Sequence, residues 1–321
     1  MRALVTGAGG FVGPYLLDHL RSCGDDVGGT DLEVDITDAE SIRAAFDEAK
    51  PEVVYHLAAL SHVGTSWSAP VDVFRVNVEG TLNVLLAALE AGVQRVLLIG
   101  SAEEYGIVPT ERMPITEDEH LRPVTPYGAS KAAAEMAASH ATRGRGLEVV
   151  CVRAFNHLGP GQSDALVAPA IARQVAEAEA GGDGVVRTGD LTPKRDFTDV
   201  RDVVRAYRLL VEHGEPGEAY NVCTGRAVAV QEVADHLVSL ARRPLRLELD
   251  ESRLRPVEVP VHWGSNAKLR AATGWEPEIP LDRALAGRGL WMVRHLAADL
   301  GLRSDGTGTF ARARFPLADR R

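Results

Sequence analysis

The run Thr6-Gly-Ala-Gly-Gly-Phe-Val-Gly13 restricts this chain more than any other stretch in it. It follows an apolar run over residues 2–6 and precedes a helical pattern over residues 13–22, so Gly7, Gly10 and Gly13 join a strand to a helix. Glycines let the backbone turn sharply there and come close to a pyrophosphate, which the amides and positive dipole end of the helix attract. Phe11 and Val12, within the bend, are expected with Gly7, Gly10 and Gly13 among the residues that bind the cofactor.

The rhythm after this turn fits the same reading. Strand-like runs at 53–57, 96–99 and 147–152 alternate with helix-length segments at 38–49, 71–91 and 127–143, the last entered through Pro126. Strands separated by helices imply a parallel sheet with crossovers, and ligands bind such sheets beyond the strand ends. The expected fold class is α/β, a Rossmann-type doubly wound parallel sheet with a smaller α/β substrate-binding lid domain. Residues 27–31 form a second strand ending in Asp31, 18 residues beyond Gly13, where a carboxylate would accept the adenosine ribose hydroxyls. A carboxylate repels a 2′-phosphate, so NAD(H) is favoured and NADP(H) stays open. Asp35 follows closely, so the usual excursion into a third strand is shortened, and Asp35 with Ile36 is expected beside the adenine.

Beyond about residue 155 the chain turns to Gly- and Pro-rich loops with helical stretches at 165–180, 200–213 and 230–241 and a strand-like run at 218–223. The division expected is a dinucleotide-binding domain over 1–155 with a later return at roughly 190–225. A discontinuous substrate-binding part covers 156–300, and 301–321 reads as a poorly ordered tail. With 45% apolar and 25% charged residues, 321 residues can bury a core without disulfides or metals. A formal charge of −10 excludes a nucleic-acid binder, which needs clustered Lys and Arg. Cys23, Cys151 and Cys223 are far apart and read as buried small hydrophobes, with no metal site expected. No signal peptide or spanning run is recognisable, so no membrane partner and a cytoplasmic location are expected.

The chemistry emerges at Tyr127-Gly-Ala-Ser-Lys131, at Ser101 after the strand 96–99, and at Asn77. Tyr127 and Lys131, four apart on a helix, project from one face. The ammonium is expected to draw the phenol down towards a useful acid/base range, while Ser101 hydrogen-bonds the reacting oxygen.

Together with the glycine turn, His56-Leu57-Ala58-Ala59, Asn77-Val-Glu-Gly-Thr81, Gly100-Ser-Ala-Glu-Glu-Tyr-Gly106 and the Tyr127–Lys131 motif resemble the extended short-chain dehydrogenase/reductase family across nearly the whole chain. Phe155-Asn-His-Leu-Gly-Pro-Gly-Gln162, residues 195–204, 220–225 and 254–260 look more narrowly like the GDP-4-keto-6-deoxy-D-mannose reductases. The resemblance implies Ser101, Tyr127 and Lys131 as catalytic residues. Leu57, Ala58, Ala59 and Asn77 join the cofactor contacts, and Ser61, His62, Asn156, Arg195, Arg255 and Glu258 the substrate contacts. Arg195 and Arg255 suit phosphates, and Glu258 suits ribose hydroxyls. Glu103 occupies the place where related dehydratases carry an acid acting alpha to a transient ketone, so it counts with both the catalytic and the substrate residues. Asp196, Asp199 and Asp202 read as turn, cap and surface acids.

The implied function is reduction of the C4 ketone of a GDP-4-keto-6-deoxyhexose to a GDP-6-deoxyhexose of the GDP-rhamnose type, with hydride from NAD(P)H. The alternatives are an NAD-retaining nucleotide-sugar 4-epimerase, 4,6-dehydratase or decarboxylase, and a non-catalytic dinucleotide-binding scaffold. The expected partners are a nucleotide-diphosphate sugar, GDP favoured, and a second copy of the chain, paired through a four-helix bundle as in this family.

Overall fold

In the computed structural model, residues 1–179, 181–254, 259–285, 299–305 and 308–314 are described. Six parallel strands form the main sheet in the order β10-β5-β4-β3-β1-β2. They are β1 Arg2–Thr6, β2 Asp26–Thr30, β3 Val53–His56, β4 Arg95–Ile99, β5 Glu148–Ala154 and, returning late in the chain, β10 Ala219–Val222. Register is continuous from Thr6↔Thr30 and Thr6↔His56 through His56↔Leu98 to Ala219↔Cys151. The strand ends carrying the chemistry are therefore level with one another.

Strand periodicity explains the two cores. On β1, β3 and β5, Val5, Tyr55, Val150 and Val152 face one cluster with Leu16, Leu20, Val203, Tyr207, Leu210 and Trp275. Their neighbours Leu4, Val54, Val149 and Cys151 face the other, with Ile42, Phe46, Val84, Leu85, Ala134 and Ala138. Helices α1 Gly13–Ser22 and α8 Val200–His213 cover the first face, and α2 Ala39–Ala49, α5 Gly80–Glu90 and α6 Pro126–Arg145 the second. The helix expected over 71–91 is present as an unbroken helical run, α4 Pro70–Phe74 passing through a wide π turn at Arg75–Glu79 into α5, with the short α3 Val63–Ser66 before it. Asn77 sits in that turn with its side chain bonded away from the helix, and such turns mark working positions.

The remaining elements are β6 Asn156–Leu158, α7 Val167–Glu179, β7 Val185–Thr188, β8 Lys194–Arg195, β9 Phe197–Asp199, β11 Val228–Ala229, α9 Val230–Ser239, β12 Arg246–Leu249, β13 Val261–His262, α10 Ala267–Thr273, β14 Asp299–Asp305 and β15 Gly308–Arg314. The chain divides into two compact units. One holds residues 1–157, 193–228 and 255–279; the other holds 158–192, 229–254 and 280–321. Within the second, β12 pairs parallel with β7 and α7 packs against α9.

Strands β14 and β15 pair antiparallel, in register Asp305↔Gly308. Two expectations are corrected. Cys23 is exposed, unlike buried Cys151 and Cys223, because it follows the end of α1. Asp202 is no surface acid: it is 1% exposed and accepts the Glu278 and Ile279 amides at 3.0 and 2.8 Å, while the Trp275 indole donates to its carbonyl at 2.9 Å. Asp199 caps α8 and Asp196 accepts the Thr224, Gly225 and Arg226 amides, turn and cap roles as read. No helix among the described residues is long and apolar enough to cross a membrane.

Candidate active site

The glycine turn is built for close approach. Gly7 has φ +71°, and a Cβ on it would lie 2.7 Å from the Ala58 backbone; at Gly13 the distance to the Ala8 carbonyl oxygen would be 2.1 Å. The Gly10 and Gly13 amides bond back to the Gly7 and Gly10 carbonyls at 3.1 and 3.2 Å. Helix α1 begins without a side-chain cap or an acidic residue in its first turn, so its opening amides retain capacity for an anion. Val12 is the N-cap residue and Phe11 packs edge-on against Tyr15. Asp31, at the end of β2, leans over the turn: a Cβ on Gly9 would come 2.0 Å from its Oδ2. These features fit a dinucleotide, with backbone for the pyrophosphate and a carboxylate for the ribose.

Asp35 is exposed and accepts the Thr37 amide and hydroxyl, both at 2.8 Å, which hold its carboxyl below the usual range. The Ile36 side chain is 7% exposed and packs on Gly80, whose lack of a side chain makes room for it. Leu57, Ala58 and Ala59 lie half-buried beyond β3.

A buried polar chain fixes that loop. The Thr81 hydroxyl spends its proton on the Asn77 carbonyl at 2.6 Å, so its 3.0 Å contact with His56 must be donated by Nε2–H. Nδ1 is then bare and accepts from Thr6 Oγ1 at 2.7 Å. Burial, with Lys131 nearby, holds this imidazole neutral by lowering its pKa to about 3. Asn77 tethers the loop: its Oδ1 accepts the Leu60 amide at 2.8 Å, and its Nδ2 donates to Leu60 O and Ser130 Oγ at 3.1 and 2.9 Å.

Helix α6 starts sharply, with Thr125 accepting the Gly128 amide at 3.0 Å and Pro126 in its first turn. Gly128 permits contact with the 3-10 turn Ala102–Tyr105, for a Cβ there would lie 2.5 Å from the Glu103 carbonyl oxygen. This contact brings Tyr127 to Ser101, whose hydroxyl accepts the Glu103 amide at 3.2 Å and hydrogen-bonds the phenol. Ser101, Tyr127 and Lys131 are 8%, 8% and 6% exposed. The Tyr127 pKa is the reverse of the sequence expectation. Burial pushes it above its ordinary value, the Ser101 hydrogen bond only partly offsets this, and Glu104 and Glu103 add to the rise. Lys131 does not oppose it, because its Nζ donates to the Ile99 carbonyl at 2.7 Å and burial lowers its own pKa to about 8. Tyr127 is thus a proton-bearing phenol, suited to giving a proton.

Of the other predicted contacts, Ser61 is exposed, His62 caps α3 through Nδ1 at 3.0 Å from the Thr65 amide, and Asn156 is exposed on β6. Arg195 is half-buried on β8, its Nη1 bonded to the Lys194 carbonyl at 2.9 Å. Arg255 and Glu258 lie outside the described residues. Sequence reasoning missed the tethering by Thr6, His56, Thr81 and Ser130, although all four lie in the quoted motifs. It also missed Glu104, beside the Glu103 it singled out.

The sequence profile of GDP-mannose 4,6 dehydratase matches residues 30–287, most of the chain. The chain belongs to the GDP-mannose 4,6-dehydratase family. Its membership upholds the resemblance to the extended short-chain dehydrogenases and reductases. Among relatives of this dehydratase family, the GDP-6-deoxy-D-mannose reductase of Pseudomonas aeruginosa is 35% identical over 288 residues, 88% of this chain and 94% of that protein. The structure of RMD from Pseudomonas aeruginosa complexed with NADPH superposes with a TM-score of 0.84 at 34% identity, covering 92% of this chain and 100% of that one. UDP-glucose 4-epimerase of Thermus thermophilus, in complex with NAD, gives 0.82 at 30% identity over 91% and 99%.

Proposed function

We propose that this protein reduces the C4 ketone of a GDP-4-keto-6-deoxyhexose to a GDP-6-deoxyhexose, using NADH or NADPH. The observation that carries the reading is the match along 94% of a GDP-6-deoxy-D-mannose reductase, joined to a buried phenol that keeps its proton. Gly7, Gly10 and Gly13 hold the pyrophosphate and Asp31 the ribose, in the unit made of residues 1–157, 193–228 and 255–279. When bound, the nicotinamide supplies the hydride. Tyr127 gives its proton to the C4 oxygen, Ser101 donates a hydrogen bond to that oxygen, and Lys131 stabilises the phenolate left behind. Asn156 and Arg195 contact the nucleotide diphosphate.

Incubation with the keto sugar should oxidise NADH or NADPH, followed by absorbance, and yield the deoxysugar by mass spectrometry; no oxidation of either cofactor sinks the reading. Glu103, close enough to raise the Tyr127 pKa, favours a second reading in which NAD stays bound and returns its hydride after epimerisation or elimination. Protein that carries NAD through purification and converts a nucleotide sugar without added cofactor would select it.

The assembly is a homodimer. Leu82 and Leu86 on α5 and Met136 on α6 are 39%, 43% and 74% exposed, apolar side chains that a second copy would cover in a four-helix bundle. Light scattering should give about twice the chain mass of 34.4 kDa, and Leu86→Glu should return it to the monomer value. A monomeric native protein rejects this pairing.

A further inference from the structure

One buried guanidinium ties together the segments that carry Ser101 and Tyr127. Arg153, on β5, is 7% exposed and directs its donors to three different stretches of chain. Its Nε and Nη2 fork onto Glu135 of α6 at 3.0 and 2.6 Å. Its Nη1 donates to the Tyr105 hydroxyl at 3.0 Å and to the Glu117 carbonyl at 2.9 Å, and its Cζ lies 5.0 Å from the centroid of the Tyr105 ring. Tyr105, 1% exposed, donates in turn to Asn221 Oδ1 at 2.7 Å. The Asn221 amide closes the loop of hydrogen bonds by donating to Glu117 Oε1 at 2.8 Å. All five residues belong to the same compact unit as the candidate site.

Each tie ends next to a reacting group. Glu135 follows Tyr127 and Lys131 on α6 at the next step of four, so it lies along their face of the helix. Tyr105 is the last residue of the 3-10 turn that Ser101 caps. Turn and helix also touch at Gly128, where backbone meets the Glu103 carbonyl and no side chain sets the spacing. A planar fork on a carboxylate fixes both distance and direction. Burying a charged pair costs desolvation that apolar side chains of similar volume avoid, so stability alone gives little reason for a guanidinium here. Geometry gives a stronger one, because a shift of about 1 Å at a reacting centre costs about 10²-fold in rate. Helix α6 has anchors of its own, in Ala134 and Ala138 in the core, the Thr125 cap and the Lys131 bond to Ile99. The four-residue turn is the piece that the guanidinium must hold.

We propose that Arg153 is a positioning residue: it locks the Ser101 turn to α6, through Tyr105 and Glu135, so that the Ser101 hydroxyl and the Tyr127 phenol address one substrate oxygen. The proposal rests on the reductase reading, in which both groups act on the C4 oxygen. Arg153 and Glu135 line a cavity of about 230 Å³ whose walls include neither Ser101 nor Tyr127, so the guanidinium works from behind the site and through its partners.

Arg153→Lys keeps the charge and removes the fork. The kcat for the keto sugar should fall about tenfold to a hundredfold, with KM and dinucleotide affinity within about twofold. In a Ser101→Ala background, which has no hydroxyl left to place, the same substitution should cost less than about threefold, since residues that act as one unit are non-additive. An arginine needed only for packing would cost the same factor in both backgrounds, and that result overturns the proposal, as does an Arg153→Lys kcat within about twofold of wild type. Tyr105→Phe keeps the ring and removes only the hydroxyl between Arg153 and Asn221, and it decides alone if Arg153→Lys does not fold. Its kcat should fall about threefold to tenfold with KM held, and not in Ser101→Ala; an unchanged kcat overturns the proposal. If wild type leaves the keto sugar unreduced, the functional reading fails, and the placement is read without turnover from the Tyr127 ¹³Cζ resonance of ring-labelled protein, assigned through Tyr127→Phe. Ser101→Ala marks the shift of a phenol without its partner, and either clamp variant should move the wild-type signal towards that value. A signal that stays at the wild-type position overturns the proposal.

Discussion

Tyr127→Phe should lower kcat/KM for the keto sugar by about 10²–10⁴-fold, the range for a removed general acid, while dinucleotide affinity stays within about threefold. The substitution deletes one oxygen from a side chain that is already 8% exposed, so the packing of α6 is retained. What disappears is the proton donor. Burial keeps the phenol protonated at neutral pH. In wild type the alkaline limb of kcat belongs to Lys131 and lies near pH 8: below it the ammonium is present to return the proton, and above it that return fails. Single-turnover absorbance of the reduced cofactor separates this loss from slow product release. A decline of less than tenfold would mean that the proton reaches the C4 oxygen from another group.

Gly13→Ala should weaken NAD(H) or NADPH binding by about a hundredfold or more, roughly 2.7 kcal/mol. The added methyl would lie 2.1 Å from the Ala8 carbonyl oxygen and 2.5 Å from its carbon, contacts that backbone cannot yield without moving the turn. Overpacking of this kind also costs about 1–3 kcal/mol of stability, so thermal unfolding without ligand belongs beside the binding titration. Gly28→Ala is the matched control, because a Cβ on Gly28 meets nothing within 4 Å. Equal affinities in the two variants would remove the turn from the cofactor site.

Much of this architecture is legible in the chain because local rules and burial agree. The run at 2–6 is β1 without alteration, and the helix at 13–22 is α1, since a glycine turn punctuates both ends at once. Motif order also predicted that Ser101 and Tyr127 would meet, but the means of meeting is tertiary: Gly128 pressed on the Glu103 carbonyl. The helix at 71–91 was legible but the π turn inside it was not, because that turn answers to Leu60 and Ser130, residues that Asn77 reaches only after folding.

The sequence by itself determined the strand-turn-helix opening, the parallel sheet and the identity of the hydroxyl, phenol and amine in the candidate site, all of which follow from short-range spacing and side-chain chemistry. The tertiary structure alone decided their protonation. A helical spacing of four promised that Lys131 would ease the phenol's proton away, yet desolvation, the Ile99 carbonyl and the Glu104 carboxyl, brought near by the fold, hold that proton in place. Ionisation depends on everything packed around a group, and most of those neighbours are distant in the chain.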